Sequence, residues 1–280
     1  MKYSGNTKKE FSTILKKEKL LIGMLHIPAL PGTPNSSLNI NQIIKKVLIE
    51  AEIYKKAGLK TVMLENMHDV PYTRGFVDPV VTAIMSIAAF QIRKNFDLFC
   101  GIQILAAANT EAVAVAHASG CHFIRVENFI YAHVADEGWM EACAGELLRY
   151  RRKISAENVL IFTDIQKKHS SHSITADLDL NDWIETAEFF GSDGIIITGK
   201  KTSDPPDLEV LHNINCKTKL PIILGSGITA ENISLYWDYA DGFIVGSYFK
   251  ENGKWYNSVS ELKIKDFMKI FRESSQKRKE

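Results

Sequence analysis

Two apolar stretches end in titratable groups. "VMLENMHDVP" (62–71) runs into Glu65, Asn66, His68 and Asp69, and "FIRVENF" (123–129) closes on Glu127 and Asn128. Two carboxyls in different surroundings titrate apart, so one can give a proton while the other takes one. A third run, "NVLIFTDI", carries Asp164 near its end, and "QKKHSSHS" follows with Lys167, Lys168, His169 and His172. Those cations suit an anionic substrate, and an imidazole moves protons near neutral pH. A Schiff-base lysine at Lys168, Lys200 or Lys201 is chemically conceivable, but no neighbour in the sequence marks one as desolvated. His26, Glu65, Glu127 and Asp164 are also ligand types for a divalent ion. No H-x-H or H-E-x-x-H spacing accompanies them, so no metal ligands are assigned and a divalent ion stays only a candidate cofactor.

The glycine motifs point to phosphate. "LGSGIT" and "VGSYFK" close two late apolar runs. Small residues let backbone N–H groups approach an anion, and a following helix N-terminus adds partial positive charge. Gly225, Ser226, Gly227, Gly246 and Ser247 are therefore the expected phosphate contacts. Glu65, Glu127, Asp164, Lys168 and His169 are the expected catalytic groups. His26, Asn66, Gln103, Asn128, Thr198 and Gly199, also at run ends, are expected to touch substrate.

Something must bring these ends together. Eight short β-branched runs recur, at 20–27, 61–66, 98–105, 122–128, 158–165, 194–199, 220–227 and 242–247. Most are continuously apolar, as strands buried on both faces of a parallel sheet are. Helical patterns lie between them. Ile43, Val47, Ala51 and Tyr54 recur in 39–57, with Gly58 as a stop. In 78–95, Asp78 is a plausible cap with Pro79 just inside. "NTEAVAVAHASG" and "LNDWIETAEFFG" both end in Gly. "SDPPDLEVLHNI" is expected to start from Ser203 or Asp204 with its prolines inside, and "VSELKIKDFMKIFRE" closes the series. "AGLKTVMLEN" and "SGCHFIRVEN" align without gaps at an offset of 62 residues, the spacing of a repeated two-strand, two-helix unit.

Eight such alternations in 280 residues predict a single α/β domain, a (β/α)8 TIM barrel over 20–273. It would carry phosphate-binding loops after strands 7 and 8. Residues 1–19 form an N-terminal extension and 274–280 a charged tail. A doubly wound sheet is the alternative, but "HIPALPGTPNSS" after the first strand is no dinucleotide fingerprint. Chemistry in such barrels sits at the C-terminal strand ends.

A net charge of +1 with scattered Lys and Arg provides no footprint for nucleic acid. No apolar run approaches the length of a transmembrane helix. Cys100, Cys121, Cys143 and Cys216 form no C-x-x-C pair and are read as free thiols in a reducing compartment. The segment 1–19 has basic residues but no h-region, so a cytoplasmic location is expected, with an organellar one as the alternative.

The motifs "GMLHIPALPGTP", "VMLENMHDVPY", "FTDIQKKHS", "GKKTSDPPDLEVL", "ILGSGITAENI" and "DGFIVGSYFKENGKWYNSV" resemble the BtpA/SgcQ family from about residue 20 to 270. The resemblance implies a phosphate-binding barrel of the ribulose-phosphate type. Within the family, a cyanobacterial member is linked to photosystem I biogenesis at the membrane. A bacterial member lies among sugar-metabolism genes and bears a nucleoside triphosphatase label. The family's recurring residues fall here on His26, Pro31, Gly32, Glu65, Asn66, Asp69, Asp164, Lys168, His169, Thr198, Gly199, Thr202, Pro206, Asp207, Gly225, Ser226, Gly227, Gly246 and Ser247. "GKKTSDPP" departs from the pattern, in which many members carry a Gly before the Pro-rich step. The expectation is an enzyme, isomerase, lyase or hydrolase, acting on a sugar phosphate or phosphorylated nucleoside, and a homo-oligomer. The alternatives are a non-catalytic biogenesis factor, peripheral to a membrane, and a metal-dependent hydrolase.

Overall fold

Eight parallel strands close into a barrel in chain order. They are β1 (Leu20–His26), β2 (Thr61–Glu65), β3 (Phe99–Gln103), β4 (Phe123–Val126), β5 (Leu160–Ile165), β6 (Gly194–Thr198), β7 (Ile222–Gly225) and β8 (Gly242–Val245). The computed structural model describes residues 11, 13, 15, 18–199, 204–214 and 218–276. Lys200, Lys201, Thr202, Ser203, Cys216 and residues 277–280 of the tail lie outside them, as do 1–10 of the extension.

The helices are α1 (Ile40–Ala57), α2 (Pro79–Asn95), α3 (Asn109–Ser119), α4 (Ala144–Lys153), α5 (Leu180–Phe189), α6 (Leu208–Ile214), α7 (Ile233–Tyr236) and α8 (Glu261–Gln276). Asn39 starts α1 with a reciprocal capping box to Gln42, and Gly58 ends it in the left-handed conformation. Two expectations are corrected. α6 begins after the prolines, where Asp207 Oδ1 accepts from Glu209 N at 2.9 Å, so Asp207 is its cap. α7 is only four residues long, too short to carry an appreciable dipole. α4 is a helix that periodicity did not mark, because "AGELLRYRRK" buries only Ala144 and Leu147.

Alternate residues of each strand face the lumen. Leu20, Ile22, Met24, Met63, Phe123, Phe162, Ile196, Ile223 and Ile244 fill it as one apolar cluster. Phe11, from the extension, plugs the N-terminal end. Its ring lies 5.3 Å from Phe123 and 5.4 Å from Phe99. The extension therefore shares the barrel's core at this residue.

Register then sets the upper layer. His26 pairs with Glu65, and Glu65 with Gln103, so three polar side chains form one row across β1, β2 and β3. Glu127 follows β4 at the lumen-facing parity of Phe123 and Arg125, and Asp164 shares the parity of Phe162.

The aromatic plug needs glycine beside it. A Cβ on Gly101 would stand 2.1 Å from the Phe123 ring, and one on Gly194 2.5 Å from Phe162. Gly101→Ala is expected to destabilise the barrel by about 1–3 kcal/mol through overpacking. Denaturant unfolding of the variant reads this, and a wild-type midpoint would contradict it.

Candidate functional site

The polar row opens onto a cavity of about 420 Å³ at the C-terminal strand ends. Its walls include His26, Glu65, Gln103, Arg125, Glu127 and Lys168, with the loops after β7 and β8 opposite. Lys167 and His169 also line it, as do Asp136 and Glu137.

The last two come from an antiparallel patch that periodicity missed. His133–Ala135 pairs with Gly138–Met140 and with Ser170–Ser171. The strands are two or three residues long, too short to show a pattern of two. The patch ties down the segment after β5. Gln166 and His169 adopt positive φ there (50° and 56°), and the two neighbouring lysines diverge.

Lys167 Nζ lies 3.5 Å from Glu127 Oε1 and 3.4 Å from Glu137 Oε2. Burial works against its charge, but the two carboxylates outweigh that and raise its pKa. Lys168 turns the other way, and its Nζ donates to Ser226 Oγ at 3.3 Å. Burial, then the nearby Arg125 charge, lower its pKa.

Arg125 is a buried cavity-lining residue that motif reading missed. It sits in β4 and grips Asp164 through both oxygens, Nε to Oδ2 at 3.0 Å and Nη2 to Oδ1 at 2.9 Å. Both side chains are buried. Burial works against the Arg125 charge, and Asp164 more than restores it. One Arg in an otherwise apolar strand, at the parity of Glu127, was the available signal.

His26 Nδ1 lies 3.0 Å from the Trp255 carbonyl oxygen. A carbonyl only accepts, so Nδ1 carries the proton. Burial, then Lys250, pull the ring's pKa down to about 3, leaving Nε2 bare in the neutral ring. Glu65 Oε2 faces that nitrogen at 3.4 Å. Burial raises the Glu65 pKa against the pull of Arg125 and Lys168. The contact is thus a site for one shared proton rather than an ion pair. Burial also raises Glu127, against the pull of Lys167, and Glu127 Oε2 accepts from Ala107 N at 2.9 Å. Gln103 is buried with its Oε1 unpartnered at the cavity wall.

The glycine loops face these groups. Ser226, Gly227, Ile228 and Thr229 line the cavity beside Gly246, Ser247 and Tyr248. Ser226 and Gly227 have φ of 65° and 60°. Asn232 locks the first loop, with Oδ1 accepting from Thr229 N and Nδ2 donating to Gly227 O. Ser247 opens a 3-10 turn closed by Phe249 N to Gly246 O, so the Ser247 and Tyr248 amides precede the first bond within that turn. With α7 so short, the groups these loops could offer an anion are their amides and Lys168 rather than a helix dipole.

Several expected site residues are not brought to the cavity. Asn66 and Asn128 follow Glu65 and Glu127 beyond the strand ends and are not among the lining residues. Asn66 Oδ1 accepts from Leu105 N, and its Nδ2 donates to Asp69, whose Oδ1 takes Leu30 N. It fixes three loops. Asn128 is buried at φ 59° with its side-chain amide unpartnered. Thr198 and Gly225 are not among the lining residues; Thr198 Cγ2 would stand 3.3 Å from a Cβ on Gly225. Gly199 is a packing glycine, since a Cβ there would lie 2.1 Å from Asp204 O. Gly227 meets the same segment, at 2.3 Å from Pro205 N, while also lining the cavity. Asp164 is not among the lining residues and pairs with Arg125. His172 turns away, Nε2 toward Lys167 O and ring against Trp183. Among the described residues no three His, Cys, Asp or Glu side chains are grouped to hold a metal, and no helix is long and apolar enough to cross a membrane.

The model of the BtpA family matches residues 17–273. A Caenorhabditis elegans protein whose name places it in mitochondria is 47% identical over 255 residues, covering 89% of this chain and 92% of its own length. The photosystem I biogenesis protein BtpA of Synechocystis sp. is 31% identical over 256 residues, covering 90% and 88%. Among solved structures, N-(5'-phosphoribosyl)anthranilate isomerase from Pyrococcus furiosus superposes with a TM-score of 0.57 at 14% identity, over 91% of this chain and all (100%) of that one. Orotidine 5'-phosphate decarboxylase from Pyrococcus horikoshii does so with 0.54 at 12% identity, over 91% and 99%. At such identities the likeness concerns the fold.

Two outcomes follow from this geometry. Asp164→Ala strands a buried guanidinium and is expected to cost about 3–5 kcal/mol, whereas Arg125→Met with Asp164→Leu costs far less; equal losses in denaturant unfolding would contradict the pairing. The folded His26 ring is expected to stay neutral at pH 5 with its proton on Nδ1, read by imidazole ¹⁵N shifts. Its depressed pKa also means that the unfolded chain binds this proton first, so stability falls progressively from about pH 6.5 toward pH 3. A doubly protonated ring at pH 5 would contradict both statements.

Proposed function

The chain belongs to the BtpA family, and from that premise we propose that it is an enzyme acting on a small phosphorylated metabolite, a sugar phosphate or phosphorylated nucleoside, by acid–base chemistry. One observation carries the reading. The Lys168–Ser226 contact joins the cationic segment after β5 to the glycine loop after β7, on a wall of the cavity that also holds Glu65 and His26.

A phosphoryl group enters between the two glycine loops, where amides of Gly227, Ile228, Ser247 and Tyr248 reach its oxygens and Lys168 supplies the counter-charge. Anchoring there places the rest of the ligand under the polar row. Gln103 Oε1 accepts from a ligand hydroxyl. Glu65 delivers the proton it shares with His26 Nε2. Glu127, whose pKa burial raises against the pull of Lys167, takes one. His169 borders the phosphoryl end. Asp164 is a positioning residue that holds Arg125. The same two carboxyls serve isomerase, lyase or hydrolase chemistry. The fold neighbours named for phosphoribosyl and 5'-phosphate compounds support a phosphorylated ligand.

A non-catalytic biogenesis role, suggested by the Synechocystis name, gives no use to a bare buried acceptor or a desolvated lysine. A metal-dependent hydrolase would need carboxylates that Arg125 and Lys167 already hold. The worm relative's name favours an organellar location. Half-exposed Ile40, Ile49 and Ile87 around a groove between α1 and α2 support a homo-oligomer.

Thermal-shift titration with inorganic phosphate and a panel of sugar phosphates tests the reading. Saturation at one hundred times Kd adds about 2.7 kcal/mol of stability, and Ser226→Asp abolishes the shift by like-charge repulsion. The Lys168 pKa is lowered, so affinity falls as pH rises through it, and Lys168→Arg moves that fall to higher pH. No shift with any ligand, together with wild-type behaviour of Ser226→Asp, would sink the proposal.

A further inference from the structure

A buried charge stands in the loop after β8. Lys250 is 1% exposed, and its Nζ donates to Glu50 Oε2 of α1 at 2.9 Å. Lys250 does not line the candidate site, and the proposed chemistry gives the pair no part.

Lys250 is at the root of the segment 247–259. Its N–H donates to Ser247 O at 3.0 Å, and its carbonyl accepts from Gly253 N at 3.0 Å and from Lys263 Nζ at 3.1 Å. It bridges to Val259, and Glu251 N to Ser258 O closes the same loop one step further out. Ser247, at the start of the segment, lines the cavity. Trp255, further along, offers its carbonyl oxygen to His26 Nδ1 at 3.0 Å. The ammonium thus pins to α1 the base of a loop that touches both the second glycine motif and the proton-sharing pair.

The anchor need not be ionic. A well-packed apolar pair often holds a core as well as a buried ion pair does, or better. What an ammonium adds is charge. The ionisable groups acting on the His26 ring are Glu65 from β2, His68 from the loop after β2, Lys168 from the loop after β5 and Lys250. Lys250 opposes a second proton on that ring, with an effect second to burial. Burial also works against the charge of Lys250 itself, and Glu50 supports it.

We propose that Lys250, held by Glu50, is a positioning residue for the candidate site: it fixes the loop after β8 and keeps His26 in the neutral form that meets Glu65 with a bare Nε2. The proposal rests on the proton-sharing role given to His26 and Glu65.

Imidazole ¹⁵N spectra across pH and calorimetry with ribose 5-phosphate test it on the full chain, in Lys250→Met with Glu50→Leu and in Lys250→Arg. The apolar pair is expected to fold with a denaturation midpoint near that of wild type. In it the His26 pKa rises by about one unit toward its ordinary value. The Nδ1–H tautomer gives way to a mixture, and ribose 5-phosphate binds about fivefold more weakly. Lys250→Arg, which keeps the charge and its donors, leaves all three as in wild type. A folded apolar pair with wild-type His26 titration and tautomer would reduce Lys250 to a core anchor and overturn the proposal. So would a folded arginine variant that titrates like the apolar pair. Should the apolar pair not fold, Lys250→Gln, whose amide still donates to Glu50, carries the same expectations. If His26 responds as stated while ribose 5-phosphate binds neither wild type nor variants, the positioning role stands and the phosphate reading falls.

Discussion

Arg125 is a permanent positive charge inside an apolar barrel, and Asp164 is what allows it to stay. Burying a lone ion costs several kcal/mol. Two carboxylate oxygens set against the guanidinium edge offset that cost and also fix the direction in which the group points. The surrounding site is tuned by this one charge. Arg125 pulls down the carboxyls of Glu65 and Glu127, which burial pushes up, and it pushes down the Lys168 ammonium. Two carboxyls and an ammonium thus have their protonation states biased from the same point.

The two neighbouring lysines show how finely local placement decides role. Lys167 is held by Glu127 and Glu137, and its charge is secured. Lys168 reaches a hydroxyl in the described geometry, and burial and Arg125 weaken its charge. Their divergence comes from the left-handed residues Gln166 and His169 and from the strand pairing of Ser170 and Ser171. The small antiparallel patch therefore acts at the site as well as over it.

Much of this was legible beforehand. Continuous apolar runs and their spacing specify eight parallel strands, and polar residues at the run ends mark the mouth. What a run end does not reveal is which member of a pair faces inward. Glu65 and Glu127 line the cavity while Asn66 and Asn128 do not, because beyond the strand ends the loops take over: Asn66 ties to Leu105 and Asp69, and Asn128 adopts a left-handed backbone. Gly199 looked like a ligand contact, but its bareness makes room for Asp204. Arg125 escaped because it lies inside a strand rather than at its end. Glu137 escaped because its hairpin strands are only three residues long. Phe11 escaped because an aromatic plug contributed by a preceding segment has no local pattern at all.

The central claim is that the loops after β7 and β8, with Lys168, hold a phosphoryl group under the polar row. A crystal structure at saturating ribose 5-phosphate tests it most directly. The account predicts the phosphoryl group within hydrogen-bond distance of the Gly227, Ile228 and Ser247 amides and of Lys168 Nζ, with the sugar hydroxyls turned toward Gln103 and Glu65. A phosphoryl group bound elsewhere, at a concentration that saturates binding in solution, would contradict it.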